Sequence, residues 1–74
     1  MRWLNMGKNY AKALVELRSK LNISQSELAA LLSVSYPSVN RWENGHATPV
    51  KIVRVRIEKL LQENDIVLEE VQHG

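Results

Sequence analysis

The spacing of helix-start signals is the feature that most constrains what this chain can fold into. Ser24–Gln25–Ser26–Glu27 is a capping box, Ser35 stands just before Pro37, and Thr48 precedes Pro49. In each case a hydroxyl can accept from otherwise unpaired backbone N–H groups of a first turn. A proline in that turn loses no helical hydrogen bond. Between the starts lie interruptions, at Asn22–Ile23, near Ser33 and at Asn44–Gly45. The middle of the chain is therefore divided into short helices, which need packing against one another to persist.

Apolar spacing extends this pattern to both sides. Ala11, Leu14, Val15, Leu17 and Leu21 fall near one face of a first helix predicted over residues 8–21. Leu28, Ala29, Leu31 and Leu32 follow the capping box, and Val39 and Trp42 turn inward from the third helix. After Thr48–Pro49, Val50, Val53, Ile57, Leu60 and Leu61 form a helical stripe to about Glu63. Residues 53–57 also alternate, which leaves a strand open, although the cap and the longer period favour helix. Residues 1–7 read as an N-terminal tail, 8–63 as one domain, and 64–74 as an acidic tail or a short fifth element. Residues 65–71 alone fit a helix, a strand or a tail.

At 74 residues the chain holds a single domain. It has no cysteine, which excludes disulfides and thiolate metal sites. It carries neither a signal-peptide apolar segment nor an apolar run of membrane-spanning length. Its charge is +2 overall but unevenly placed. Residues 1–60 hold all ten basic residues and four acids, net +6, whereas residues 61–74 hold four acids and no base, net −4. A basic body suits a polyanionic partner, and equally an ordinary solvated surface. The two histidines, His46 and His73, are far apart in sequence, and no paired-carboxylate or glycine-rich phosphate motif occurs. The sequence thus points away from an enzyme, and implies no cofactor or metal.

Two short helices joined by a tight turn, the second exposing polar residues, make a helix-turn-helix. The ordered set Gln25–Ser26–Glu27–Leu28–Ala29, Val34–Ser35, Val39–Asn40–Arg41–Trp42–Glu43–Asn44–Gly45 and Pro49 resembles the phage repressor and Cro (Xre-type) helix-turn-helix family over about residues 12–60. The resemblance implies an all-α, compact four- to five-helix lambda-repressor-like bundle. It also implies a sequence-specific regulator, in most cases a repressor, that lays residues 35–44 in the major groove of double-stranded DNA as a homodimer.

Residue by residue, the resemblance places Tyr36, Pro37, Asn40 and Arg41 toward base edges. Arg41 could fork onto guanine or hold a phosphate, and Pro37 could simply start its helix. Gln25 matches a glutamine that binds a phosphate and braces the recognition helix. Ser35, Ser38, His46, Thr48 and Lys51 are further phosphate candidates, with Ser35 equally explained as a cap. Arg18 and Glu43 match a buried structural ion pair. Ser33 departs from the pattern, because the tight turn ordinarily carries a glycine there. Ile52, Val55 and Ile66–Val67–Leu68 are candidate dimer surface, or packing for the tail. Two other readings remain open. One is a DNA-binding antitoxin or accessory protein whose acidic tail meets a partner, the other a protein-interaction module on the same scaffold. A cytoplasmic, nucleoid-associated location follows from the DNA-binding readings.

Overall fold

The computed structural model describes residues 8–70, and the tail expected over residues 1–7 and the last four residues lie outside them. Four helices follow one another: α1 Tyr10–Leu21, α2 Gln25–Leu32, α3 Tyr36–Glu43 and α4 Lys51–Glu63. Among the described residues there is no strand, only one antiparallel bridge between Lys8 and Glu70. The fold is all-α, and the stretch 53–57 is helical rather than extended.

The first three helices start where a side chain can cap them. Asn9 Oδ1 accepts from Lys12 N at 3.1 Å, so α1 begins two residues later than the apolar spacing indicated. At α2 both halves of the capping box form: Ser24 Oγ accepts from Glu27 N at 3.0 Å, and Glu27 Oε1 accepts from Ser24 N at 2.8 Å. Ser35 Oγ accepts from Ser38 N at the start of α3, with Pro37 in its first turn. The start read from Thr48–Pro49 is displaced. Val50 occupies the cap position of α4 and provides no side-chain bond, while Pro49 is fully buried instead of leading the helix.

All four helices end alike. Asn22, Ser33, Gly45 and Asp65 each take a left-handed conformation, with φ of 58°, 60°, 75° and 57°. The next residue then donates its N–H across the turn: Ile23 to Arg18, Val34 to Ala29, His46 to Arg41 and Ile66 to Leu61, at 2.9–3.1 Å. This closure satisfies carbonyls at the helix end and turns the following side chain back toward the bundle. Ile23, Val34 and Ile66 pack on or in the core accordingly. Ser33 thus adopts the conformation usually given to glycine, at a cost of about 1 kcal/mol.

The core gathers Leu14, Leu17, Leu28, Leu32, Val39, Trp42, Val53, Ile57 and Leu61 from the four helices. Two sequence expectations shift here. The inward face of α1 is Tyr10, Ala13, Leu14 and Leu17, while Val15 is 45% exposed. Val50, read as part of the inward stripe of α4, is exposed, and so is Leu31 on α2. Tyr10 closes the bundle toward α4: its hydroxyl donates to Glu58 Oε2, and burial together with that bond pushes its pKa up to about 12.

Residues 66–70 are neither a fifth helix nor a free tail. They run back along the start of α1 as an extended strap. Ile66 is buried in the main core and Leu68 packs against it. Asn9 N donates to Glu69 O at 2.6 Å, and Lys12 pairs with the Glu69 carboxylate at 2.9 Å. Lys20 Nζ adds a bond to Asn64 O at 2.6 Å. Val67 alone of the apolar triplet stands out, at 77% exposed.

Candidate nucleic-acid interface

The turn between α2 and α3 is three residues long, Ser33 to Ser35. Ala29 and Leu28 are buried beneath it, which lets α3 cross closely over α2. Val39 and Trp42 anchor the inner face of α3, so the outer face follows from the helical period. Ser35, Tyr36, Pro37 and Arg41 are exposed on it, whereas Ser38 and Asn40 are half-buried. Ser35 and Ser38 hydroxyls lie 2.9 Å apart, so the cap is also a polar pair at the leading end of the helix. His46, Thr48 and Lys51 are all exposed after the end of α3.

Behind this face lies the ion pair. Arg18 forks onto Glu43, Nε to Oε2 at 2.7 Å and Nη2 to Oε1 at 2.9 Å, tying α1 to the last residue of α3. The Glu43 side chain is only 4% exposed, against 25% for Arg18. Burial pushes the Glu43 carboxyl up, but bonds from Arg18 and Gln25 and the guanidinium charge outweigh it and hold the pKa below the usual glutamate range. Glu43 therefore stays ionised without presenting its charge to the outer face.

Gln25 is not simply a surface residue at the start of α2. Its Nε2 donates to Glu43 Oε1 at 2.8 Å, and its Oε1 accepts from Asn40 Nδ2 at 3.1 Å. Asn44 Nδ2 then donates to Asn40 Oδ1 at 3.2 Å. The sequence reading paired Arg18 with Glu43, named Gln25 and Asn40 apart from that pair, and missed Asn44 as a member. The one local signal for it is the four-residue spacing of Asn40 and Asn44, which puts both on one helix face.

The basic side chains divide sharply. Lys12, Arg18, Lys20, Arg54 and Arg56 are engaged inside the domain. Arg54 bonds Pro49 O at 3.1 Å, and Arg56 bonds Leu32 O at 2.9 Å, closing the C-terminal end of α2. Arg41 and Lys51 form no side-chain hydrogen bond or ion pair among the described residues and are exposed, as are Lys8 and Lys59 away from α3 in sequence. The net +6 of residues 1–60 therefore overstates the cationic strength of the α3 face.

No helix among the described residues is long and apolar enough to cross a membrane. A family model described as helix-turn-helix matches residues 14–64, most of the chain and all of α2, α3 and α4. The chain is also 44% identical over 50 residues to a protein of Methanococcus vannielii named as an HTH-type transcriptional regulatory protein. That match covers 68% of this chain but 15% of the relative, so the chain corresponds to a small part of a much longer protein. No solved structure matches it. The matched segment carries the capped turn, the buried anchors of α3 and its polar outer face: the chain belongs to the Xre-type helix-turn-helix family.

Proposed function

We propose that this domain is the sequence-reading part of a repressor, with α3 lying in the major groove and two copies bound to half-sites about one helical turn, ~34–36 Å, apart. One observation carries the reading: α3 is fixed on its inner side by core residues and an ion pair while its outer side stays polar and exposed. Tyr36, Pro37 and Arg41 face base edges, with Asn40 beside them. Arg41 is the side chain able to fork onto guanine O6 and N7. Gln25, Ser35, Ser38, His46, Thr48 and Lys51 border the groove as phosphate contacts, which position the domain without reading sequence. Occupying DNA is enough to block transcription, so repression asks least of so small a domain. The domain then works in the cytoplasm, at the nucleoid.

Few free cations make the reading quantitative. Each neutralised phosphate contributes about −0.9 to the slope of log affinity against log salt. Lys51 gives a slope of about −0.9 per domain and about −2 for two copies on one duplex, and Arg41 doubles that only if it holds a phosphate instead of a base. Selection of bound duplexes from a random pool, with titrations at several salt concentrations, tests this. A palindromic consensus with that slope is expected, and failure to enrich any sequence contradicts it. Arg41→Ala should erase preference at one position per half-site, a loss of about 1–3 kcal/mol of discrimination. An even loss across all sequences makes Arg41 a phosphate contact.

A further inference from the structure

Arg18, Glu43, Gln25, Asn40 and Asn44 form one hydrogen-bonded chain whose direction is chemically dictated. A guanidinium only donates, and an ionised carboxylate only accepts. Arg18 holds Glu43 from one side, so the group of Gln25 facing Glu43 must be its NH₂, observed at 2.8 Å. The carbonyl of Gln25 then faces Asn40, which must answer with its own NH₂, observed at 3.1 Å. The Asn40 carbonyl is left to accept from Asn44 at 3.2 Å. Flipping either amide would set carbonyl against carbonyl, or carbonyl against carboxylate.

We propose that this relay fixes the amide orientation of Asn40 on the recognition face, so that Glu43 and Gln25 set base preference without touching a base. The inference rests on the DNA-reading function proposed above. An unconstrained asparagine can turn its amide either way and accept or donate at a given point. In the relay one N–H of Asn40 and one further lone pair on Oδ1 remain, in an order set from inside the protein. Adenine asks for that pair, an acceptor for N6 and a donor for N7. Gln25 and Glu43 are therefore positioning residues for Asn40, beyond any phosphate contact or stabilisation they provide.

The test is selection from a random duplex pool with the whole chain and its Asn40→Ala, Gln25→Ala and Glu43→Gln variants, each checked for helicity. Asn40→Ala should remove a preference of roughly 5- to 100-fold at one position of the half-site. Gln25→Ala should flatten that same position. So should Glu43→Gln, because a neutral amide can donate as well as accept and no longer dictates direction. The position lost in Arg41→Ala should stay sharp in all three. An intact preference at the Asn40 position in Gln25→Ala overturns the proposal, as does an Asn40→Ala variant that loses affinity evenly. Gln25→Ala decides the matter if Glu43→Gln does not fold. A chain that enriches no duplex at all overturns the DNA-reading function itself, a result distinct from either of these.

Discussion

The α2–α3 unit and the α4–strap unit are built on opposite principles. In α2–α3 both helix starts are written into local sequence, by Ser24 with Glu27 and by Ser35 with Pro37. In α4 the cap position is Val50, which supplies no side-chain bond, and the strap beyond it is held by groups about sixty residues away in sequence. The functional face sits on the locally encoded unit, where a helix end must be placed accurately to aim side chains outward. The strap closes the bundle through long-range contacts, Ile66 in the core and Glu69 on Lys12. The acidic segment is thereby engaged at the start of α1.

The largest effect should come from the link between the polar face and the core. Glu43→Ala leaves Arg18 and Gln25 without their acceptor and should cost about 3 kcal/mol, the lower part of the range for breaking a buried pair, since Arg18 retains some water. For a domain this size that lowers the melting temperature by more than about 10 °C. Acid should act on the same group. Its folded pKa is depressed below that of a free glutamate, so the pair's contribution is present above the free value and is lost as pH falls through the folded value. Thermal melts from pH 6 to pH 2 should show that loss in the native chain and much less of it in Glu43→Gln.

Next in size is the strap. Ile66→Ala should destabilise by about 2 kcal/mol in chemical denaturation if residues 66–70 complete the core. A change below about 0.5 kcal/mol would reduce the strap to a surface tail. The smallest and most discriminating pair concerns the helix starts themselves. Ser24→Ala should cost about 1 kcal/mol, whereas Val50→Ser, which supplies the cap that α4 lacks, should gain about 0.5–1 kcal/mol. Equal losses from both would erase the contrast between the two units.

The same contrast explains what could be read in the sequence. Helices whose ends use side-chain chemistry were legible, down to Ser24 and Ser35 as caps and Asn44–Gly45 as a stop. The ends at Leu21 and Glu63 followed from where the apolar stripe stops, but the left-handed closure beyond them did not, because only Gly45 among the four left-handed residues announces that conformation by its identity. Tyr10 was missed as core because the acceptor for its hydroxyl, Glu58, lies far away in sequence on α4. The strap was ambiguous because five extended residues gain their structure from α1 and not from one another. At the site, exposed residues on α3 followed from helical period once Val39 and Trp42 were inward. The Gln25–Asn40 bond did not, since helix crossing geometry decides it and no local spacing reports that.

Backbone amide shifts recorded during titration with a selected duplex test the central claim most directly, because they report the whole surface at once. The account predicts changes concentrated at Ser24–Gln25, along Ser35–Arg41 and over His46–Lys51, with little change along residues 64–70. Changes centred on the strap or on the exposed Ile52 and Val55 of α4, with α3 unaffected, would contradict it.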